Sequence, residues 1–155
     1  MMLNNDYRDM LQSFVDEKVK FLLVGAYALA SHGYPRATLD IDLWVMPSPA
    51  NAKAVLRAVK RFGAPLHDVT SSDLQKEDIV FQIGVAPRRI DIITGASGLT
   101  FERAFAHAIE TKIDGISVHV LSLDDLIRNK RASGRTKDLA DAEALESLRQ
   151  SRAAP

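Results

Sequence analysis

The clearest secondary-structure signal in the chain is the segment Leu39-Asp-Ile-Asp-Leu-Trp-Val-Met46, in which every second residue from Leu39 to Val45 is aliphatic. An alternation with a period of two is typical of a β-strand with one buried face. It places four side chains, Asp40, Asp42, Trp44 and Met46, on the face opposite the aliphatic ones. Two carboxylates at positions i and i+2 of a strand point the same way. The segment therefore predicts a strand that displays a pair of parallel carboxylates.

The flanking segments predict a mixed sheet. Upstream, Phe21–Val24 reads as a short buried strand that ends at Gly25, and Ala26–Ser31 is helix-prone. Downstream, Ile79–Val85 and Arg89–Ile93 read as a hairpin. Further patterns predict helices over 6–18, 50–62, 101–108 and 135–149, a helical turn over 72–76, a hairpin turn at Asp114-Gly115, and a helix from the N-cap Ser122 to Gly134. We expect an α+β fold, a mixed β-sheet with helices mainly on one face.

Composition limits the classes of protein to consider. The 155 residues are 46% hydrophobic and 26% charged, which predicts one globular domain over residues 1–150 with a loose tail over 151–155. The absence of cysteine excludes disulfides, zinc–thiolate sites and thiol nucleophiles. Twenty basic and twenty acidic residues balance, which argues against nonspecific nucleic-acid binding as the main activity. The longest apolar run, Phe21 to Ala30, falls short of the ~20 residues that span a bilayer, so we expect no membrane association. The absence of cysteine suits a cytoplasmic location, which we also expect.

The acidic pair is the first candidate for chemistry. Asp40 and Asp42 offer the hard oxygen ligands that Mg²⁺ prefers, and Asp91, in Arg89-Ile-Asp-Ile-Ile93, would complete the cluster from another strand. Two such ions about 3.5–4 Å apart can stabilise an in-line phosphoryl displacement. The alternative is that a half-buried strand simply shows its acids to solvent.

A second candidate lies where the first apolar strand ends. Gly25 would let the backbone approach a ligand closely, and free N–H groups at the start of the following helix would suit a phosphate. The alternative is a glycine that only permits a tight strand-to-helix turn. Arg36 and Thr38, just before the acidic pair, would contact phosphate or a metal-bound water, or else be a solvated charge and an ordinary strand residue.

The segment from Val24-Gly25-Ala26 through His32-Gly-Tyr-Pro-Arg-Ala-Thr-Leu-Asp-Ile-Asp-Leu43 resembles the signature of the nucleotidyltransferase superfamily that includes DNA polymerase beta. The resemblance is greatest to small prokaryotic members of the abortive-infection, toxin type. The family also tends to carry a lysine and an Arg-x-Lys-Asp-like stretch on its last two helices, here Lys130 and Arg135-Thr-Lys-Asp138. For Lys130, the alternative from the sequence is a cation that stabilises a helix C-terminus.

The resemblance implies a metal-dependent transfer of a nucleotidyl group from a nucleoside triphosphate to a hydroxyl acceptor. Mg²⁺ or Mn²⁺ would be held by Asp40, Asp42 and Asp91, which also form the catalytic set. The nucleotide would be bound by Gly25, Ala26, Arg36, Thr38 and Lys130. The implied partners are a tRNA or protein acceptor and, in a toxin–antitoxin setting, a cognate antitoxin.

One departure from the family pattern keeps two other functions open. The family usually has glycine or serine after the first glycine, and this chain has Ala26. A degenerate member that binds a nucleotide or a partner without transferring anything is therefore the main alternative. An interaction protein whose acids are only a solvated strand face is the other.

Overall fold

The computed structural model of the chain describes residues 3–34, 40–85 and 88–153. The helices in these ranges are α1 (Asn5–Asp16), α2 (Gly25–Ser31), α3 (Pro49–Phe62), α4 (Phe101–His107), α5 (Leu123–Ser133) and α6 (Thr136–Ala153). The strands are β1 (Phe21–Val24), β2 (Ile41–Val45), β3 (Val80–Ile83), β4 (Ile90–Ile93), β5 (Ile109–Ile113) and β6 (Ile116–Val120). A 3₁₀ turn at Asp73–Gln75 lies within the predicted helical turn.

The six strands form one mixed sheet in the order β3-β4-β2-β1-β6-β5. The central pairs are β1 with β2, antiparallel, and β2 with β4, parallel. Both predicted hairpins are present, because β3 pairs antiparallel with β4 and β5 pairs antiparallel with β6. The α+β class and the mixed sheet are confirmed.

Local sequence explains where several helices begin and end. The Ser48 side chain accepts a hydrogen bond from the backbone N–H of Asn51, and Pro49 occupies the first turn of α3, where a missing N–H costs nothing. Ser122 caps α5 through the backbone N–H of Asp125, and Gly134 ends that helix in the left-handed region, at φ 71°. Both α5 assignments match the sequence prediction.

Several element ends differ from the predictions, and three of these differences have a structural reason or consequence. The first helix ends at Asp16 rather than Lys18, because Lys18 turns the chain at φ 57°. The predicted strand 39–46 is a strand over Ile41–Val45, with Leu39 outside the described residues. The last helix was expected to end at 149, with a loose tail from 151; instead α6 continues to Ala153, where the Arg152 side chain donates a hydrogen bond to the His32 carbonyl.

The two faces of the sheet are covered differently. Phe14 of α1 packs edge-to-face on Phe21 of β1, whose partner across the ladder is Val45. Trp44, on the other face, packs edge-to-face on Phe101 of α4 and is 1% exposed. Asp42 lies on the Trp44 face by parity and lines the cleft described next, together with Gly25, Ala26 and Leu29 of α2. No helix among residues 3–34, 40–85 and 88–153 is long and apolar enough to cross a membrane.

Candidate active site

The turn from β1 into α2 brings backbone against a carboxylate. Val24 is the ladder partner of Asp42, and Gly25 follows it with φ 66°. A Cβ atom at Gly25 would overlap Oδ2 of Asp42. Glycine is required here on two counts, because its φ lies in the left-handed region and because no room exists for a side chain. Gly25 thus permits the Asp42 carboxylate to lie directly against the turn.

The register of two parallel strands sets Asp91 beside Asp42. These residues are Cα partners in the β2–β4 ladder, so their side chains lie on the same face of the sheet. Asp40 precedes Asp42 by two positions and shares its parity. All three carboxylates line one cleft of about 420 Å³, together with Gly25 and Ala26. The structure therefore brings together the acids that the sequence analysis singled out.

Sequence analysis missed Arg89, which crosses this cluster. Its Nη2 donates hydrogen bonds to Asp40 Oδ2 at 2.9 Å and to Asp91 Oδ2 at 3.2 Å. Its Nε lies 3.0 Å from Asp91 Oδ1, an ion pair on the other side of the same carboxylate. The available signal was parity, because Arg89 precedes Asp91 by two positions and so shares its face.

The charge of the cluster is only partly neutralised. Burial, followed by the neighbouring Asp91 and Asp40 charges, raises the pKa of Asp42 to about 6, and the Arg89 charge offsets only part of this rise. The Asp91 side chain also shares a hydrogen bond with Asp42, which favours a protonated Asp42. Carboxylates crowded in this way favour any further cation that enters the cleft.

A tyrosine behind the cluster fixes the backbone of Arg89. The Tyr7 hydroxyl donates a hydrogen bond to the Arg89 carbonyl at 3.1 Å, and that carbonyl also accepts from the Ile41 N–H at 3.1 Å. Burial, followed by the nearby Tyr27 and the Asp40 charge, raises the pKa of Tyr7 to about 12. Tyr7 therefore remains a protonated donor at physiological pH. No sequence pattern linked it to the site.

The helical hairpin of α5 and α6 contributes basic side chains to the cleft. Lys130 Nζ lies 3.5 Å from Asp138 Oδ1 and 3.4 Å from Asp141 Oδ2, and both of these acids are buried. Arg135 donates a hydrogen bond to Asp138 at 2.6 Å. Burial opposes ionisation of Asp138, but the Arg135 hydrogen bond and the Lys130 charge lower its pKa overall. Lys130, Arg135 and Lys137 line the same cleft as the acids.

Other residues considered in the sequence have different outcomes. Arg36 and Thr38 lie outside the described residues. Trp44, which shares the acidic face by parity, belongs to the core rather than to the cleft. His32 directly follows α2, whose first residues line the cleft. It is buried, and its Nε2 lies 2.8 Å from the Leu121 carbonyl oxygen, so its role is structural.

The donor set fits a hard divalent cation in its chemistry. Asp40, Asp42 and Asp91 offer only carboxylate oxygens, which suit Mg²⁺ and Mn²⁺. In the part of the chain that the structure describes, no three acidic or histidine side chains are yet arranged to hold a metal ion. The Arg89 guanidinium lies on Asp40 and Asp91 instead. A cation could therefore bind only after side chains rearrange. The backbone of Asp42 and Asp91 is held in place by their strands.

Comparison with known proteins shows the family of this chain and structures with a similar fold. The family described as "Nucleotidyl transferase of unknown function (DUF2204)" matches residues 3–153. No curated protein sequence matches the chain. The structure is similar to the crystal structure of a candidate nucleotidyltransferase from Thermotoga maritima, with a TM-score of 0.57 and 19% identity over 96% of this chain and 94% of that one.

The antibiotic-resistance factor ANT(2'')-Ia has a similar fold. Its solution structure gives a TM-score of 0.55 at 17% identity, covering 94% of this chain and 88% of that one. Its crystal structure in complex with adenylyl-2''-tobramycin gives a TM-score of 0.54 at 16% identity, covering 96% and 97%. At these identities the likeness shows a shared fold.

Proposed function

We propose a function from the premise that this chain belongs to the nucleotidyl transferase family DUF2204. The reaction is transfer of a nucleotidyl group from a nucleoside triphosphate to a hydroxyl acceptor, with Mg²⁺ or Mn²⁺ as cofactor. The observation that carries the proposal is the pairing of Asp42 and Asp91 in one cleft, which Lys130 of α5 and Lys137 of α6 also line. A cleft lined by both acidic and basic side chains is complementary to a cation with its triphosphate.

Asp40, Asp42 and Asp91 are the proposed ligands of the cation. When bound, a divalent cation neutralises the triphosphate and stabilises charge on the attacking and leaving oxygens. The acceptor oxygen forms a bond to the α-phosphorus while the bond from that phosphorus to the pyrophosphate oxygen breaks. Asp91 takes the proton of the acceptor hydroxyl, and pyrophosphate leaves.

The nucleotide phosphates are assigned to the rim of the cleft. Gly25 and Ala26 offer backbone at close range, because no side chain stands between the β1–α2 turn and Asp42. Lys130 adds positive charge, held in position by its two buried carboxylates. Arg36 and Thr38 are proposed as phosphate contacts from the sequence alone.

The acceptor is proposed from family resemblance. We favour a tRNA or a protein hydroxyl, in the cytoplasm, with a cognate antitoxin as a partner of the chain. The ANT(2'')-Ia crystal structure is a complex with adenylyl-2''-tobramycin, and it adds small hydroxylated molecules as an acceptor class to include in an assay.

A labelling assay tests the proposal. The protein is incubated with each α-labelled nucleoside triphosphate, Mg²⁺ or Mn²⁺, and separate pools of tRNA, protein and small hydroxylated acceptors. We expect label in one pool for the wild type and none for Asp42→Asn or Asp91→Asn. Asp68→Asn should label normally, since its side chain is 81% exposed and is not among the residues that line the cleft. If the wild type binds metal and nucleotide but labels no pool, the chain is a nucleotide-binding protein and the transferase proposal is wrong.

A further inference from the structure

The guanidinium of Arg89 occupies the position of a cation in the carboxylate cluster. It contacts one oxygen of Asp40 and both oxygens of Asp91, at 2.9 to 3.2 Å. The Arg89 side chain is 34% exposed, so it is accessible from the cleft rather than sealed in the core. Among the three acids of the cluster, Arg89 forms its ion pairs with Asp40 and Asp91.

We propose that Arg89 is an internal counter-ion of this cluster, that it competes with the divalent cation for Asp40 and Asp91, and that it transfers to the triphosphate when metal and nucleotide enter together. The inference rests on the proposed function, since it assumes that these acids bind the cation. It adds a coupling between metal and nucleotide that the proposed reaction does not itself require.

Competition follows from shared oxygens. A cation bound by Asp40 and Asp91 would use the same carboxylate oxygens that now accept hydrogen bonds from Arg89, and two positive charges at that distance repel each other. Metal binding therefore selects molecules in which the guanidinium has moved away. If roughly one molecule in ten has this arrangement, the apparent affinity for metal is about tenfold weaker than the intrinsic one.

The backbone of Arg89 restricts where the guanidinium can go. Its carbonyl is held by the Tyr7 hydroxyl and the Ile41 N–H, so the side chain moves while the strand stays in place. The displaced guanidinium remains in the same cleft and needs a new anion. A triphosphate is the suitable partner, because guanidinium binds phosphate oxygens in a bidentate manner. Metal alone displaces Arg89 without compensation, whereas metal with triphosphate supplies it.

Metal titration of three variants tests this coupling. Arg89→Gln removes the competing charge, Arg89→Lys keeps a charge that cannot contact both acids with a planar fork, and Arg88→Gln is the matched control for net charge. Arg88 is exposed, adjoins Arg89, and is not among the residues that line the cleft. Mn²⁺ affinity is measured by isothermal calorimetry and by electron paramagnetic resonance, with and without a nonhydrolysable nucleoside triphosphate.

We expect Arg89→Gln to bind Mn²⁺ alone about tenfold more tightly than the wild type, as removal of a competing conformer predicts. Arg89→Lys should fall between them, and Arg88→Gln should match the wild type. The nonhydrolysable nucleotide should increase Mn²⁺ affinity more in the wild type than in Arg89→Gln. Because Arg89→Lys retains the charge, it keeps the test usable if Arg89→Gln does not fold.

Three results overturn the inference in distinguishable ways. Equal Mn²⁺ affinity in the wild type, Arg89→Gln and Arg89→Lys removes the counter-ion competition and leaves the proposed function intact. Absence of Mn²⁺ binding in every variant, with and without nucleotide, removes both the inference and the metal-dependent function. A gain in Arg88→Gln equal to that in Arg89→Gln would attribute the effect to net charge and so also overturn the inference.

Discussion

Replacing Asp42 by asparagine should stabilise the metal-free protein at neutral pH. In the folded state, burial and the adjacent Asp91 and Asp40 charges raise the pKa of Asp42 from 3.8 to about 6. Between these values the folded protein binds more protons than the unfolded chain, so stability is fully present below pH 3.8 and is lost as pH rises through 6. The full loss at pH 7 corresponds to about 3 kcal/mol. Asparagine keeps the shape and has no charge to bury.

The expected signature is a pH-dependent difference between two melting curves. At pH 7 and low ionic strength, Asp42→Asn should melt higher than the wild type by up to about 6–12 °C, since 1 kcal/mol corresponds to roughly 2–4 °C for a domain of this size. Well below pH 3.8 the two proteins should melt together, because Asp42 is then neutral in both states of the wild type. Asp68→Asn, an exposed control, should show no such pH dependence.

Two further measurements complete the test. Nuclear magnetic resonance of the Asp42 carboxyl carbon should give a midpoint near pH 6. Mg²⁺ or Mn²⁺ should stabilise the wild type by mass action and leave Asp42→Asn unchanged. The reasoning is refuted if Asp42→Asn is less stable than the wild type at pH 7, or if their difference is the same at pH 4 and pH 7.

Three other substitutions have defined outcomes. Gly25→Ala should lower stability in urea unfolding by at least about 1 kcal/mol, because it strains a left-handed φ. It should also abolish labelling, because its Cβ displaces the Asp42 carboxylate; labelling by this variant at the wild-type level would contradict the geometry. Ala26→Ser should bind a nonhydrolysable triphosphate about tenfold more tightly, since a hydroxyl adds one hydrogen bond to a charged group; calorimetry with unchanged affinity would remove Ala26 from the phosphate site. Lys130→Met should cost about 3 kcal/mol of stability in urea unfolding at pH 7, since it removes the cation that faces the buried Asp138; a cost near zero would show that Arg135 suffices.

Sequence patterns were enough for the parts of the site that are local. The alternation around Ile41–Val45 placed Asp40 and Asp42 on one face, and the apolar run before Gly25 predicted the turn that approaches them. Ser122 and Gly134 marked both ends of α5. These features depend on neighbours within a few residues, where backbone geometry follows from residue type. Asp91 was a candidate third acid from its place on another predicted strand, and the family resemblance implied the same residue.

Tertiary structure alone decided which charges face one another. Parity places Asp91 on a face of its strand, but only the β2–β4 register sets it opposite Asp42. Arg89 contacts Asp40 although 49 positions separate them in sequence. Trp44 and Asp42 share a face by parity, but only the packing of α4 shows that Trp44 is covered while Asp42 lines a cleft. The physical reason is that alternation fixes direction within a strand, whereas register and the packing of distant helices fix what each side chain meets.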